Sequence, residues 1–145
     1  MKSLHALFIA CCFLLLISCS PTIALFDQYA YTQTTSIKVD ALNVMGNATD
    51  NYALHQTEIQ QVNTAIRKMA EYESHRPNDT ITAIMWAKII NPKGHLYGGF
   101  IERWKQKGKL DSAFVSNEQY IIGRAFDQIA ELESRKIKPS QVTNQ

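Results

Sequence analysis

The stretch His55-Gln56-Thr57-Glu58-Ile59-Gln60-Gln61-Val62-Asn63-Thr64-Ala65-Ile66-Arg67-Lys68-Met69-Ala70-Glu71-Tyr72-Glu73 decides the fold class. His55, Ile59, Val62, Ile66, Met69 and Glu73 recur at steps of four and three. Glu58, Gln60, Gln61, Asn63, Arg67, Lys68 and Glu71 fall mostly between them. A period of 3.6 residues puts the first set on one face and the second in water, so the spacing predicts an amphipathic helix from about Asp50 to Ser74. His75-Arg76-Pro77-Asn78-Asp79 ends it, and Asn78 or Asp79 is a suitable N-cap for the next helix.

The same period runs outward in both directions. On the N-terminal side, Leu25, Phe26, Ala30, Ile37, Ala41, Val44, Met45 and Ala48 share one helical face. Thr32-Gln33-Thr34-Thr35-Ser36 leaves a strand open as an alternative there, because β-branched side chains lose rotamer freedom in a helix. Gly46 to Asn51 supply a break and candidate caps. On the C-terminal side, Thr80 to Ile90 is apolar on nearly all sides and is expected deep in the core. Asn91-Pro92 interrupts it, with Pro suited to a first helical position and Asn to a cap. The pattern resumes as Leu96, Phe100, Ile101 and Trp104 and closes at Gly108, a plausible C-terminal cap. Gly98-Gly99 inside that run points to close approach of a neighbouring helix, since each Gly costs about 1 kcal/mol against Ala in a helix. Ser116 and Gln119 fit a capping box for a last helix with a stripe of Ile121, Ile122, Ala125, Phe126, Ile129 and Leu132. The chain thus reads as all-α. It is a four-helix bundle-like domain over residues 25–138, with a third helix broken at Asn91-Pro92 and a flexible tail at 139–145.

The front of the chain has a different logic. Met1-Lys2-Ser3-Leu4-His5 is followed by the apolar block Ala6 to Ile17 and then by Ser18-Cys19-Ser20-Pro21. A positive start, a short apolar block and a small residue at the break make a cleaved export signal. The block is too short for a spanning helix, which needs about 20 residues. Leu16-Ile17-Ser18-Cys19 resembles the lipobox of bacterial lipoproteins. The resemblance implies a signal peptide over residues 1–18, cleavage between Ser18 and Cys19, and lipidation of the Cys19 thiol. Palmitate-type acyl chains would then hold residues 19–24 as a lipid-anchored linker. Ser20 after the lipidated cysteine resembles the pattern that permits sorting to the outer membrane, which implies a lipid anchor on its periplasmic face. The motif covers the signal and cleavage site only.

Removing residues 1–18 takes away Lys2 and no acid, so the net charge of +2 falls to +1. No field of the strength that attracts nucleic acid follows. Cys11 and Cys12 leave with the signal and Cys19 is acylated, so no disulfide or thiolate metal site is expected.

Motifs for catalysis are absent. No Glu has a His three residues later, which a carboxylate-bridged metal pair in a bundle would need. His-Glu-x-x-His, Gly-x-Ser-x-Gly and Ser-x-x-Lys do not occur. Haem between Met69 and His95 is open to any bundle with a Met and a His. The expectation is therefore a non-catalytic domain without cofactor or metal, with an enzyme or cofactor-binding bundle as the rival. Arg103, Lys105, Lys107 and Lys109 form a basic run that complements a helix C-terminus. The same run also suits surface contact with lipid headgroups or cell-wall polymer near the anchor. In size, anchoring and helix content the chain resembles the pilotins of type II secretion. The resemblance is architectural and implies helix-in-groove binding of an envelope partner protein.

Overall fold

The structure is a computed structural model that describes residues 26–77 and 80–142. The signal peptide, Ser18, Cys19, the linker, and the candidate caps Asn78 and Asp79 lie outside the described residues. The fold is all-α: the described residues form five α-helices and no strand.

α1 spans Gln28–Gly46. Asp27 caps it, accepting from the backbone N–H groups of Tyr29 (2.8 Å) and Ala30 (3.1 Å). Its buried residues Ala30, Thr34, Ile37, Ala41 and Val44 alternate steps of four and three. The threonine-rich stretch is helical, not a strand. The buried Thr34 hydroxyl donates to the Ala30 carbonyl (2.7 Å) and the Thr35 hydroxyl to that of Tyr31 (3.1 Å), so the polar atoms are satisfied inside the helix.

α2 spans Gln56–Ser74 and starts later than the expected Asp50. Residues 47–55 are taken by two 3-10 turns, Asn47–Thr49 and Tyr52–Leu54, the second capped by the Asn51 side chain. Their backbone is committed elsewhere: Tyr52 N–H donates to the Gly108 carbonyl and Leu110 N–H to that of Ala48, both at 2.8 Å. The buried face of α2 is Ile59, Val62, Ile66, Met69 and Glu73.

α3 spans Thr80–Ile90 and α4 spans Tyr97–Lys107. Where a third helix with a break was expected, Asn91 to Leu96 form a six-residue corner between two helices. The Asn91 side chain accepts from Lys93 N–H (3.0 Å), and Gly94 N–H donates to the Asn91 carbonyl (3.0 Å). That is a turn with Pro at its second position, not the start of a helix. Helix α3 is less deeply placed than its composition suggests. Only Thr82, Trp86 and Ile89 are buried, and Ile84 stands half exposed.

α5 spans Ser112–Glu133. Its cap is Asp111, which accepts from Ala113 (2.9 Å) and Phe114 (3.1 Å) N–H, so the helix begins four residues before Ser116. Gln119 does not close a capping box. Its side-chain amide donates instead to the Leu42 carbonyl on α1 (2.8 Å). Helix α5 ends with Arg135 at φ 58°, a left-handed position in which Lys136 N–H reaches back to the Glu131 carbonyl (2.8 Å). Pro139–Gln141 make one more 3-10 turn within the expected tail.

Helix α1 packs on α2 and α5, and α3 packs on α2, α4 and α5. The core is a single cluster running from Ala30 to Ile129, with Trp86 edge-on to Phe126 at 5.9 Å. The end of the molecule where the chain enters at residue 26 is closed by Arg76. Its guanidinium donates to Glu73 (2.7 Å) and Glu133 (2.8 Å), each carboxylate 1% exposed, and lies 3.8 Å from Asp27. Burial pulls the guanidinium pKa down, but the bonds to Glu133 and Glu73 outweigh it and hold it raised. At the other end the connections 47–55 and 108–111 meet.

Candidate functional site

A broad constellation of exposed charge built by several elements lies toward that second end. Its foundation is α4. One face of this helix, Tyr97, Phe100, Ile101 and Trp104, is buried. Trp104 donates its ring N–H to the Asp50 carbonyl (3.0 Å) and meets Tyr52 edge-on at 5.6 Å. Burial pushes the Tyr97 phenol pKa up and keeps it neutral. Gly98 and Gly99 let the 91–96 corner fold onto the helix. A Cβ on Gly98 would lie 2.3 Å from the Ile90 carbonyl oxygen, and one on Gly99 would lie 1.9 Å from that of Gly94. The paired glycine therefore serves close approach, as its position suggested, although the neighbour is the preceding corner. Gly108, at φ 76°, ends the helix and donates to the Trp104 carbonyl (2.8 Å).

The opposite face of α4, the corner and the first turns of α5 enclose an open groove of about 420 Å³. Lys93, Arg103 and Lys107 supply its cations, Glu102 and Glu118 its acids, and His95 lines it beside them. The Arg103 guanidinium sits 4.3 Å from the Phe114 ring centroid, and Phe114 stacks on Phe100 (6.2 Å, 2°). A cation seated on an aromatic face gains about 0.5–1 kcal/mol at an exposed site, which holds the planar fork in place without using its donors.

Of the basic run, the groove takes Arg103 and Lys107 and leaves out Lys105 and Lys109, although all four are exposed. The reason is helical: positions four apart share a face, a position two away points elsewhere, and Lys109 lies beyond the Gly108 cap. Lys93 was not singled out from sequence, and His95 only as a haem ligand with Met69, not as a partner of the basic run. Asn91-Pro92-Lys93-Gly94 reads as a turn, and a turn ahead of a basic helix is the one signal that could have paired them with it. Helix α1 separates the run from residue 26 by about 28 Å, at 1.5 Å per residue over 19 residues.

The remaining candidates disperse. His55 packs on Trp104 and pairs with Glu58 (3.0 Å), whereas His75 is exposed beside Glu71 (2.9 Å) at the other end. Met69 is buried in α2 toward the end where residue 26 lies, while His95 lines the groove at the opposite end, so the two do not face one site. No group of three or more His, Cys, Asp or Glu side chains among the described residues is placed to hold a metal. A pocket between Met85, Ile89, Leu96 and Ala125, lined also by Lys88 and Gln128, has a volume of about 30 Å³, room for water and little more. No helix among the described residues is long and apolar enough to cross a membrane. Chemically, the groove offers cations and amide donors to an anion, and no nucleophile paired with a base. Compared with known proteins, the chain matches no family model, no curated protein and no solved structure.

Proposed function

We propose that this is a lipid-anchored envelope protein, non-catalytic, held through Cys19 on the periplasmic face of the outer membrane. Its domain presents the Lys93–His95–Arg103–Lys107 groove to an anionic cell-wall polymer. One observation carries the reading: Lys93, Arg103 and Lys107 gather in one groove away from residue 26, where the chain leads back toward Cys19. A domain tethered at one end and basic in a groove at the other suits contact with something across from its own membrane. On this reading α1, α2, α3 and α5 form a four-helix bundle, and α4 is the displaced half of a broken third helix.

A pilotin-like role requires an apolar groove wide enough for a helix about 10 Å across, and the water-sized cavity between α3 and α5 lends it no support.

Two measurements test the proposal. Full-length protein with Cys19→Ala is expected to move from the membrane fraction to the soluble one and to lose the mass of its acyl chains. Purified protein is expected to sediment with isolated cell-wall sacculi at low salt and to be released as salt screens the exposed charges. Arg103→Glu with Lys107→Glu should abolish most of that sedimentation. Equal pelleting of the double variant rules out the groove as the contact.

A further inference from the structure

We infer that Phe26, Tyr29 and Tyr31 form an aromatic collar that rests in the interfacial layer of the membrane holding the lipid; this rests on the anchoring reading above. Seven large hydrophobic side chains stand exposed among the described residues, and three of them fall within residues 26–31. They are Phe26 at 53%, Tyr29 at 54% and Tyr31 at 39%. Phe26 and Tyr31 lie 6.5 Å apart, centroid to centroid, on one side of the start of α1. Tyr29 leans on Tyr72 of α2 at 5.0 Å. The rings therefore surround the first turn of the helix.

This collar stands on a fixed base. The Asp27 carboxylate caps the N–H groups of Tyr29 and Ala30, accepts the Tyr72 hydroxyl, and faces Arg76. Rings held in this way present apolar bodies and phenolic tips with little further ordering to be done. Amphipathic rings of this kind collect at membrane–water interfaces.

Reach identifies the occupant. Residues 20–25 separate Cys19 from Phe26. At 3.3–3.6 Å per residue the span from Cys19 to Phe26 is at most about 25 Å. The collar cannot leave the neighbourhood of the bilayer, so each encounter is intramolecular and a weak affinity is enough. Resting the collar on the membrane directs the basic groove away from it.

The test uses the full mature lipidated protein in vesicles of phosphatidylethanolamine and phosphatidylglycerol. Gln28→Cys or Lys105→Cys, both at exposed positions, carries a fluorophore quenched by an aqueous ion. Cys19 is the only cysteine after residue 18, and its thioether leaves the introduced thiol as the single labelling site. The label at position 28 is expected to be quenched several-fold less than that at position 105. Changing Phe26, Tyr29 and Tyr31 to Ser should erase the difference. The pair Phe26→Ser and Tyr31→Ser, which spares the Tyr29–Tyr72 contact, serves if the triple variant does not fold. Equal quenching at both positions, or protection that survives the serine variants, overturns the inference while the anchor stands. Protein that never floats with the vesicles overturns the anchoring reading, and the collar with it.

Discussion

The two ends of the bundle are closed by opposite chemistry. At the end nearer residue 26, the buried carboxylates of Glu73 and Glu133 converge on Arg76, with Asp27 and Tyr72 beside them. At the far end Trp104, Tyr97, Tyr52, Phe100 and Phe114 pack by shape, with a hydrogen bond from Trp104 to Asp50. The first arrangement ties α2 to α5 through side chains alone. The second ties α4 to the 47–55 connection and leaves the outer face of α4 open for the groove. Two of the connections meet at the aromatic end, and connections are where a helical scaffold displays variable chemistry. An ionic end is intolerant of losing one partner, whereas an aromatic end loses stability in proportion to what is removed.

The sharpest break of this contrast is Arg76→Met. It leaves two carboxylates buried without their shared cation, and such a loss costs about 3–5 kcal/mol. Urea unfolding should show the fall in midpoint. Adding Glu73→Leu and Glu133→Leu should recover most or all of it, because a well-packed apolar replacement of a buried ion group is often neutral or better. If the single variant lost under about 1 kcal/mol, the ionic end would contribute no more than an exposed pair does.

The amphipathic stripes were legible because burial imposes their period. Ile59, Val62, Ile66, Met69 and Glu73 in α2, and Ala30, Ile37, Ala41 and Val44 in α1, lie on the faces their spacing assigned. Glu73 even kept its place in the stripe, but the reason for a buried carboxylate there was hidden. Arg76 and Glu133 are 57 positions apart, and nothing local marks the pair. Caps were ambiguous for a related reason. Ser116 and Gln119 match a capping box in spacing, yet Asp111 supplies the cap and Gln119 is drawn to α1. The groove was half legible: Arg103 and Lys107 belong to a visible run, while Lys93 and His95 reach it only once the corner folds back.

A smaller effect is expected from Trp104→Phe. Most of the packed volume remains, but the Asp50 carbonyl loses its donor and Tyr52 loses part of its edge contact. The cost should be about 1–3 kcal/mol. The hydrogen bond it removes ends on a backbone carbonyl, which does not titrate, so that share of the cost should hold from acid to neutral pH and at high salt. Such constancy is what separates the aromatic end from the ionic one; a strong pH dependence of this variant would erase the distinction.

The smallest change is expected from Asp27→Asn, and its size turns on pH. The Tyr72 hydrogen bond, helped by the Ala30 and Tyr29 amides and by Arg76 and opposed by partial burial, holds the Asp27 carboxyl below the ordinary carboxylate range. A folded-state pKa below the unfolded one means the ionised form stabilises the fold above about pH 4. That contribution disappears as pH falls through the depressed value. Asn still caps a helix about as well as Asp, so the variant should lose about 1 kcal/mol at neutral pH, from the weaker acceptor offered to Tyr72. The difference from the unaltered protein should close as acid protonates Asp27. At the alkaline side the logic reverses. The hydrogen bond to Asp27, followed by burial, pushes the Tyr72 phenol up to about 12, so its neutral form stabilises the fold below about pH 10 and that contribution is lost as pH rises toward 12. Thermal melts across pH therefore discriminate: the variant's deficit should be bounded on both sides at the ionic end and flat at the aromatic end. A deficit that persisted undiminished at pH 2 would mean that the Asp27 charge has no part in holding the collar's base.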